Sequence, residues 1–215
     1  MKQPTIIITA GGTVEPIDDV RAIINFSTGS VGLSLAQEAV SQGFSVELLL
    51  SKLAKGPAPQ GAHTTLFGSA EDLQTKLLSL IQEKRSGRVA VFHAAAVADY
   101  APKKATGKIP SDQNELTLTL YKTPKILDHI KPTEDPNLWL TSFKLLSRKD
   151  GREVKEVARA QMKRTNSNAV VANYIEDVSV PSYLGWVLLT SGEERQVNSR
   201  DELAGALLSV MRENF

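Results

Sequence analysis

Residues 5–43, TIIITAGGTVEPIDDVRAIINFSTGSVGLSLAQEAVSQG, decide how this chain folds. Ile6-Ile7-Ile8 is a β-branched apolar run closed by Gly11-Gly12. That is the pattern of a strand covered on both faces in a parallel sheet. At the other end Gly29-Ser30-Val31-Gly32 opens a helical stripe of Val31, Leu35, Ala36, Ala39 and Val40, which Gly43 stops. Between them runs a polar segment, Thr13 to Thr28, far longer than the roughly 2–6 residues of an ordinary strand-to-helix turn. Open α/β sheets hold ligands at the carboxyl ends of their strands, so this loop is the first candidate site. Its chemistry suits an anion. Glycines admit close backbone approach, and the first N–H groups of the following helix are free. Ser27, Thr28 and Ser30 supply hydroxyls, and Arg21 supplies a fixed positive charge. The glycines alone would serve a ligand-free α/β unit equally well; the loop length and the donors favour a binding site.

Outward from this unit, Phe44 to Leu50 and Thr64 to Phe67 read as strands, separated by a Pro- and Gly-containing loop from Ser51 to Gly61. Ser69 to Arg85 reads as a helix with Ser69 and Asp72 as its capping box and Leu73, Leu77, Leu80 and Ile81 as its inner stripe. Arg88 to Ala94 is a fourth, almost wholly apolar strand. The order β-α-β-β-α-β predicts an α/β domain of Rossmann type: a mostly parallel sheet with helices on both faces. Ala101 to Asn114, APKKATGKIPSDQN, reads as a mobile flap. Leu116, Leu118 and Leu120 alternate with polar residues as in a half-exposed strand, and Thr123-Pro124 reads as the start of a short helix. Leu138 to Phe143, Glu153 to Arg164 and Ala169 to Ala172 continue as strand, helix and strand. A small antiparallel portion follows, Gly185 to Thr190 and Gly192 to Arg195, before a last helix capped by Ser199 and Glu202. No repeat or domain boundary interrupts residues 1–215, so a single domain carrying a flap is expected.

Composition narrows the function. A net charge of +1 gives no field for nucleic acid and no polybasic membrane patch. With no cysteine there is no disulfide and no thiol nucleophile, as expected of a cytoplasmic protein. A strand begins within a few residues of Met1, leaving no room for a signal peptide, and no apolar run approaches a membrane span. His63, His93 and His129 are too dispersed for a histidine-ligated metal. The glycines do not make the tight G-x-G-x-x-G turn of a dehydrogenase, and the second strand ends in Leu-Leu-Leu-Ser-Lys without an acidic residue. No G-K-S/T and no G-x-S-x-G occurs either. A phosphate or nucleotide site built from backbone donors, one aspartate and a few lysines remains.

The blocks ITAGGTVEPIDDVRAIINFSTGSVG, HAAAVADY, GKI, KTPKIL, SFKLL and AVVAN stand in an order and spacing that resembles phosphopantothenoylcysteine synthetase, a ligase of coenzyme A biosynthesis. The resemblance covers nearly the whole chain and looks like the stand-alone form of the enzyme, with no flavin and no preceding decarboxylase domain. It implies that Asn25 serves the acyl-nucleotide intermediate, where an amide donor meets developing charge. It implies that Arg21, Ser27, Thr28, Gly29, Ser30 and Gly32 hold substrate or nucleotide phosphates. Gly11, Gly12, Ala95, Ala96, Asp99, Phe143 and Lys163 would line the nucleotide pocket, with Asp99 on a ribose hydroxyl or a cation. Lys108 of the flap would meet the triphosphate as a catalytic residue. Partners implied are 4'-phosphopantothenate, L-cysteine, CTP with Mg2+, and a second copy of the chain in a homodimer. Two departures bear on the nucleotide: Lys108 is followed by Ile109-Pro110-Ser111, and Thr165 stands where fused bacterial enzymes carry a lysine. CTP is the expected nucleotide and ATP the alternative; a non-catalytic or NADPH-binding protein of similar fold is the rival class.

Overall fold

The isoleucine run becomes β1 (Thr5–Ala10), whose three isoleucines are fully buried. Ile6 and Ile8 contribute to one hydrophobic cluster and Ile7 to another, as side-chain alternation in a strand requires. The computed structural model describes residues 3–130, 132, 135–178 and 183–215. After β1 come a hairpin of β2 (Val14–Pro16) and β3 (Ala22–Ile24), then α1 (Ser30–Ser41), β4 (Val46–Ser51) and β5 (Ala62–Phe67). The next elements are α2 (Ala70–Lys84), β6 (Val89–His93), β7 (Tyr100–Pro102) and β8 (Leu120–Lys122). The chain closes with β9 (Leu138–Leu146), α3 (Val154–Thr165), β10 (Ala169–Tyr174), β11 (Gly185–Leu189), β12 (Glu194–Val197) and α4 (Arg200–Asn214).

Eight strands form one sheet in the order β12-β11-β10-β9-β6-β1-β4-β5. Neighbours from β10 to β5 are parallel, while β11 and β12 add an antiparallel edge. On one face α1 and α4 bury Leu35, Ala36, Leu207 and Leu208; on the other, α2 buries Leu73 and Leu77 and α3 buries Val154, Ala158 and Met162. This is the expected Rossmann-like arrangement. Topology then locates the crevice. From β1 the chain winds outward through β4 to β5, then returns to β6 on the opposite side of β1. The strand order reverses between β1 and β6, and the carboxyl ends of those two strands open the crevice that such sheets use for ligands.

Both predicted helix starts are seated by side chains: Ser69 Oγ accepts from Asp72 N at 3.2 Å, and Ser199 Oγ from Glu202 N at 3.0 Å. Other expectations need correction. The Thr13–Thr28 loop folds back on itself as the β2–β3 hairpin, with Val14 opposite Ile24. The half-exposed strand expected from Leu116 to Tyr121 shrinks to β8, which pairs only with β7 over three residues. Neither of its faces is covered: Leu116, Leu118, Leu120 and Tyr121 are 48%, 36%, 42% and 49% exposed. Alternation marks two faces, but a face is buried only where a layer lies against it. Thr123 does not start a helix; its hydroxyl donates to Ala98 O, its N–H donates to Asp99 O, and the 3-10 helix begins at Ile126. The flap is docked, not loose: Ala105 N donates to Ile17 O and Ile109 N to Asp18 Oδ2.

Candidate functional site

A cavity of about 610 Å³ lies at the carboxyl ends of β6, β9 and β10 and against the turn that leads into α1. Its first wall is the turn into α1. Gly29, with φ 76°, is the N-cap, so Ser27, Thr28, Gly29, Ser30 and Gly32 all border the cavity beside the free N–H groups of the first helical turn. That turn sits low because Gly32 packs directly on β1: a methyl there would lie 2.5 Å from Ala10 Cβ. No acidic side chain occupies the first turn of α1 to compete with an anion.

The second wall is the segment after β6. Ala95 and Ala96 expose backbone to the cavity, and Asp99 is the single carboxylate among the lining residues. Asn25 joins the two walls, its Nδ2 donating to Ala96 O at 3.3 Å. Gly12 permits that approach, since a Cβ there would strike Asn25 O at 2.1 Å. Beneath them His93 is buried, with Nδ1 2.9 Å from Thr9 Oγ1, which also accepts from Ala95 N. Burial pushes the His93 pKa down to about 4, so the imidazole is neutral at neutral pH.

The third wall comes from distant sequence. β9 brings Phe143 and Lys144, α3 brings Gln161 and Arg164, β10 brings Asn173, and Tyr183 and Arg200 close the far end. Asn173 Nδ2 donates to Tyr183 Oη, and the Arg200 guanidinium lies over the Tyr183 ring while donating to Val178 O. Lys125 pairs with Asp99, and Arg164 pairs with Asp128. The Lys144 side chain has no ion pair or hydrogen bond among the described residues. Burial holds its ammonium below the usual lysine range, reinforced by Arg152, Lys125 and Arg164 and opposed by Asp99.

Of the residues singled out in the sequence, Asn25, Ser27, Thr28, Gly29, Ser30, Gly32, Ala95, Ala96, Asp99 and Phe143 meet in this cavity. Gly11, Gly12, Arg21, Lys108 and Lys163 do not line it. Gly11 packs against Ser51, and Lys163 points to solvent while its neighbour Arg164 faces the cavity. Arg21 bonds Asp18 and donates to Ile109 O, so it ties the hairpin to the flap. Lys108 is exposed on that flap. Asp18 was passed over in the sequence. Its side chain is fully enclosed and accepts from the N–H groups of Val20, Arg21 and Ile109 as well as from the Arg21 side chain. Burial resists its ionisation, but these donors outweigh it and hold the carboxyl far below the usual range. Lys125, Lys144 and Asn173 lie inside the motifs KTPKIL, SFKLL and AVVAN, where position in the motif was the available signal. For Gln161, Arg164, Tyr183 and Arg200 no local pattern marks the role.

Among the described residues no three His, Asp or Glu side chains converge as a metal site, and no helix is long and apolar enough to cross a membrane. The DNA/pantothenate metabolism flavoprotein C-terminal domain family matches residues 1–214. The chain is 35% identical over 174 residues to the coenzyme A biosynthesis bifunctional protein CoaBC of Thermococcus kodakarensis, covering 80% of this chain and 41% of that protein. It thus spans less than half the length of that relative. A crystal structure of the DNA/pantothenate metabolism flavoprotein from Streptococcus pneumoniae superposes with a TM-score of 0.86 at 26% identity, covering 99% of this chain and 100% of that one. The Cab2 mutant H337A in complex with phosphopantothenate-cysteine shares the fold, with a TM-score of 0.76 at 17% identity, over 98% of this chain and 86% of that one.

Proposed function

The chain belongs to the DNA/pantothenate metabolism flavoprotein C-terminal domain family, and on that premise we propose that it joins 4'-phosphopantothenate to L-cysteine in coenzyme A biosynthesis. One observation carries this reading: a single cavity places the anion-binding turn of α1, the Asn25 amide and the Asp99 segment within reach of one another. A reaction that joins two substrates through an acyl-nucleotide needs those three elements side by side.

The chemistry proceeds in two steps. The carboxylate of 4'-phosphopantothenate attacks the α-phosphorus of CTP and displaces pyrophosphate, leaving an acyl-cytidylate. The cysteine amine then attacks the acyl carbon, CMP departs, and the ammonium proton passes to water. Helix N–H groups and the hydroxyls of Ser27, Thr28 and Ser30 hold the polyphosphate. Asn25, fixed on Ala96 O, keeps its second N–H for the oxygen on which charge develops. We assign the nucleoside to the end of the cavity lined by Phe143 and Asn173. We assign Lys108 to the departing pyrophosphate, a contact that requires the flap to leave its Asp18 clasp. No protein nucleophile is required, so positioning and electrostatics carry the rate. Mg2+ usually keeps several waters and takes one or two carboxylates together with substrate phosphates, and Asp99 fits that donor set if Lys125 gives way. Bound there with the nucleotide, the ion would neutralise phosphate charge.

The exposed leucines at 116, 118 and 120 and Tyr121 supply the apolar surface on which a homodimer would close. Sedimentation as a monomer at micromolar concentration argues against that assembly. The activity itself is tested by pyrophosphate release with 4'-phosphopantothenate, L-cysteine, Mg2+ and either CTP or ATP. CTP should support turnover. Release with ATP alone would reassign the nucleotide, and release with neither would refute the ligase.

A further inference from the structure

Two of the three substrates of the proposed ligase carry phosphate, and the cations of the cavity fall into two sets on opposite faces of the sheet. Strand alternation separates them. Phe143 packs with the core under α1 and α4, and Ser142 faces the other way, accepting from Gln161 of α3 at 3.1 Å. Lys144 has the parity of Ser142 and Leu146, and Leu146 packs against Val154, Ala158 and Met162 of α3. On the α1–α4 face the helical turn from Gly29 to Gly32 is joined by Arg200. On the α2–α3 face Lys144 is joined by Arg164 and by Lys125, which leads into the Ile126 segment packed under α2.

We propose that Lys144, with Arg164 and Lys125, forms a second phosphate subsite that takes the phosphate monoester of the acid substrate, leaving the α1 turn to the nucleotide. This assignment rests on the ligase reading. Its physical ground is charge accounting: Asp99 answers Lys125 and Asp128 answers Arg164, whereas Lys144 is left half-buried without an anion among the described residues. A buried charge without a partner is costly, and a dianionic ligand supplies the partner. Lys125 and Arg164 are near enough to act on the Lys144 charge, and each is tied only to an exposed carboxylate, Asp99 at 66% and Asp128 at 47%. Between this subsite and Asn25 the wall is made of Ala95 and Ala96, small enough for an extended acyl chain to lie against backbone.

The test compares wild type, Lys144→Gln and Lys144→Arg in pyrophosphate release, titrating 4'-phosphopantothenate, pantothenate and nucleotide separately. Loss of one charge-assisted contact corresponds to about 10- to 100-fold. Lys144→Gln should therefore raise the KM for 4'-phosphopantothenate by that factor, leave the KM for pantothenate and nucleotide within about twofold of wild type, and be rescued by arginine. An unchanged KM for 4'-phosphopantothenate, or a rise confined to the nucleotide, overturns the assignment. If Lys144→Gln fails to fold, Arg164→Gln on the helix surface is put to the same comparison. If wild type releases no pyrophosphate, the ligase reading fails, and calorimetry on wild type decides the subsite alone. Tighter binding of 4'-phosphopantothenate than of pantothenate upholds it, and equal binding refutes it.

Discussion

An alanine at Gly32 asks whether the seat of α1 on β1 is what places the anion-binding turn. The added methyl would stand 2.5 Å from Ala10 Cβ, 3.2 Å from Ala10 Cα and 3.3 Å from Thr9 O. Carbon atoms in contact sit about 3.5–4.0 Å apart, so α1 must lift from β1 by roughly 1 Å. Neither backbone atom can swing aside, because β1 is the buried strand between β6 and β4. Overpacking of this kind costs about 1–3 kcal/mol. Replacing glycine inside a helix returns up to about 1 kcal/mol. The net loss is on the order of 1–2 kcal/mol, a fall in Tm of roughly 2–8 °C for a chain of this size. Turnover should suffer more than stability, since a displacement of about 1 Å at a positioning element costs roughly 10²-fold. Calorimetric melting and pyrophosphate release in one buffer measure both effects. A Gly32→Ala protein with wild-type Tm and wild-type kcat/KM would refute the view that close helix–strand packing sets the site.

His93 makes stability depend on mildly acidic pH. Its folded pKa of about 4 lies below the ordinary value of 6.5, so the unfolded chain binds the extra proton and stability falls as pH drops from 6.5 towards 4. The loss approaches about 1.4 kcal/mol per pH unit; urea midpoints between pH 6.5 and 4.5 should show it, and His93→Gln should flatten the slope. Asp18→Asn leaves the Ile109 and Arg21 donors mismatched and should release the flap. Trypsin should then cut at Lys103, Lys104 or Lys108 several-fold faster, and an unchanged digestion pattern would count against the clasp. Asn25→Asp places a negative charge against the acyl-nucleotide while keeping the shape. It should still cleave CTP but accumulate acyl-cytidylate by mass spectrometry, and wild-type turnover would reduce Asn25 to a loop tether.

The fold was legible where local pattern and burial coincide. The isoleucines of β1, the stripe of α1, the caps at Ser69 and Ser199 and the apolar β6 each carry their assignment within a few residues, because propensity, periodicity and capping act locally. The Gly- and Ser-rich turn was legible for the same reason, whereas Asn25 was singled out through the family resemblance and is found lining the cavity. What the sequence could not determine is anything that depends on which surfaces meet. The leucine alternation from 116 to 120 announces a covered face, yet no layer among the described residues reaches it. Asp18 looks like an ordinary loop aspartate until Ile109, far along the chain, is folded against it. Lys163 and Arg164 are adjacent in sequence, but a step of about 100° around the helix sends one to solvent and the other to the cavity. Lys144 and Arg200, on opposite faces of the sheet, border one cavity only because the fold brings the carboxyl ends of β9 and β10 and the start of α4 to the same edge. Local sequence determines elements through short-range sterics and hydrogen bonds; long-range packing alone determines which side chains share a cavity, and therefore what charge a ligand finds there.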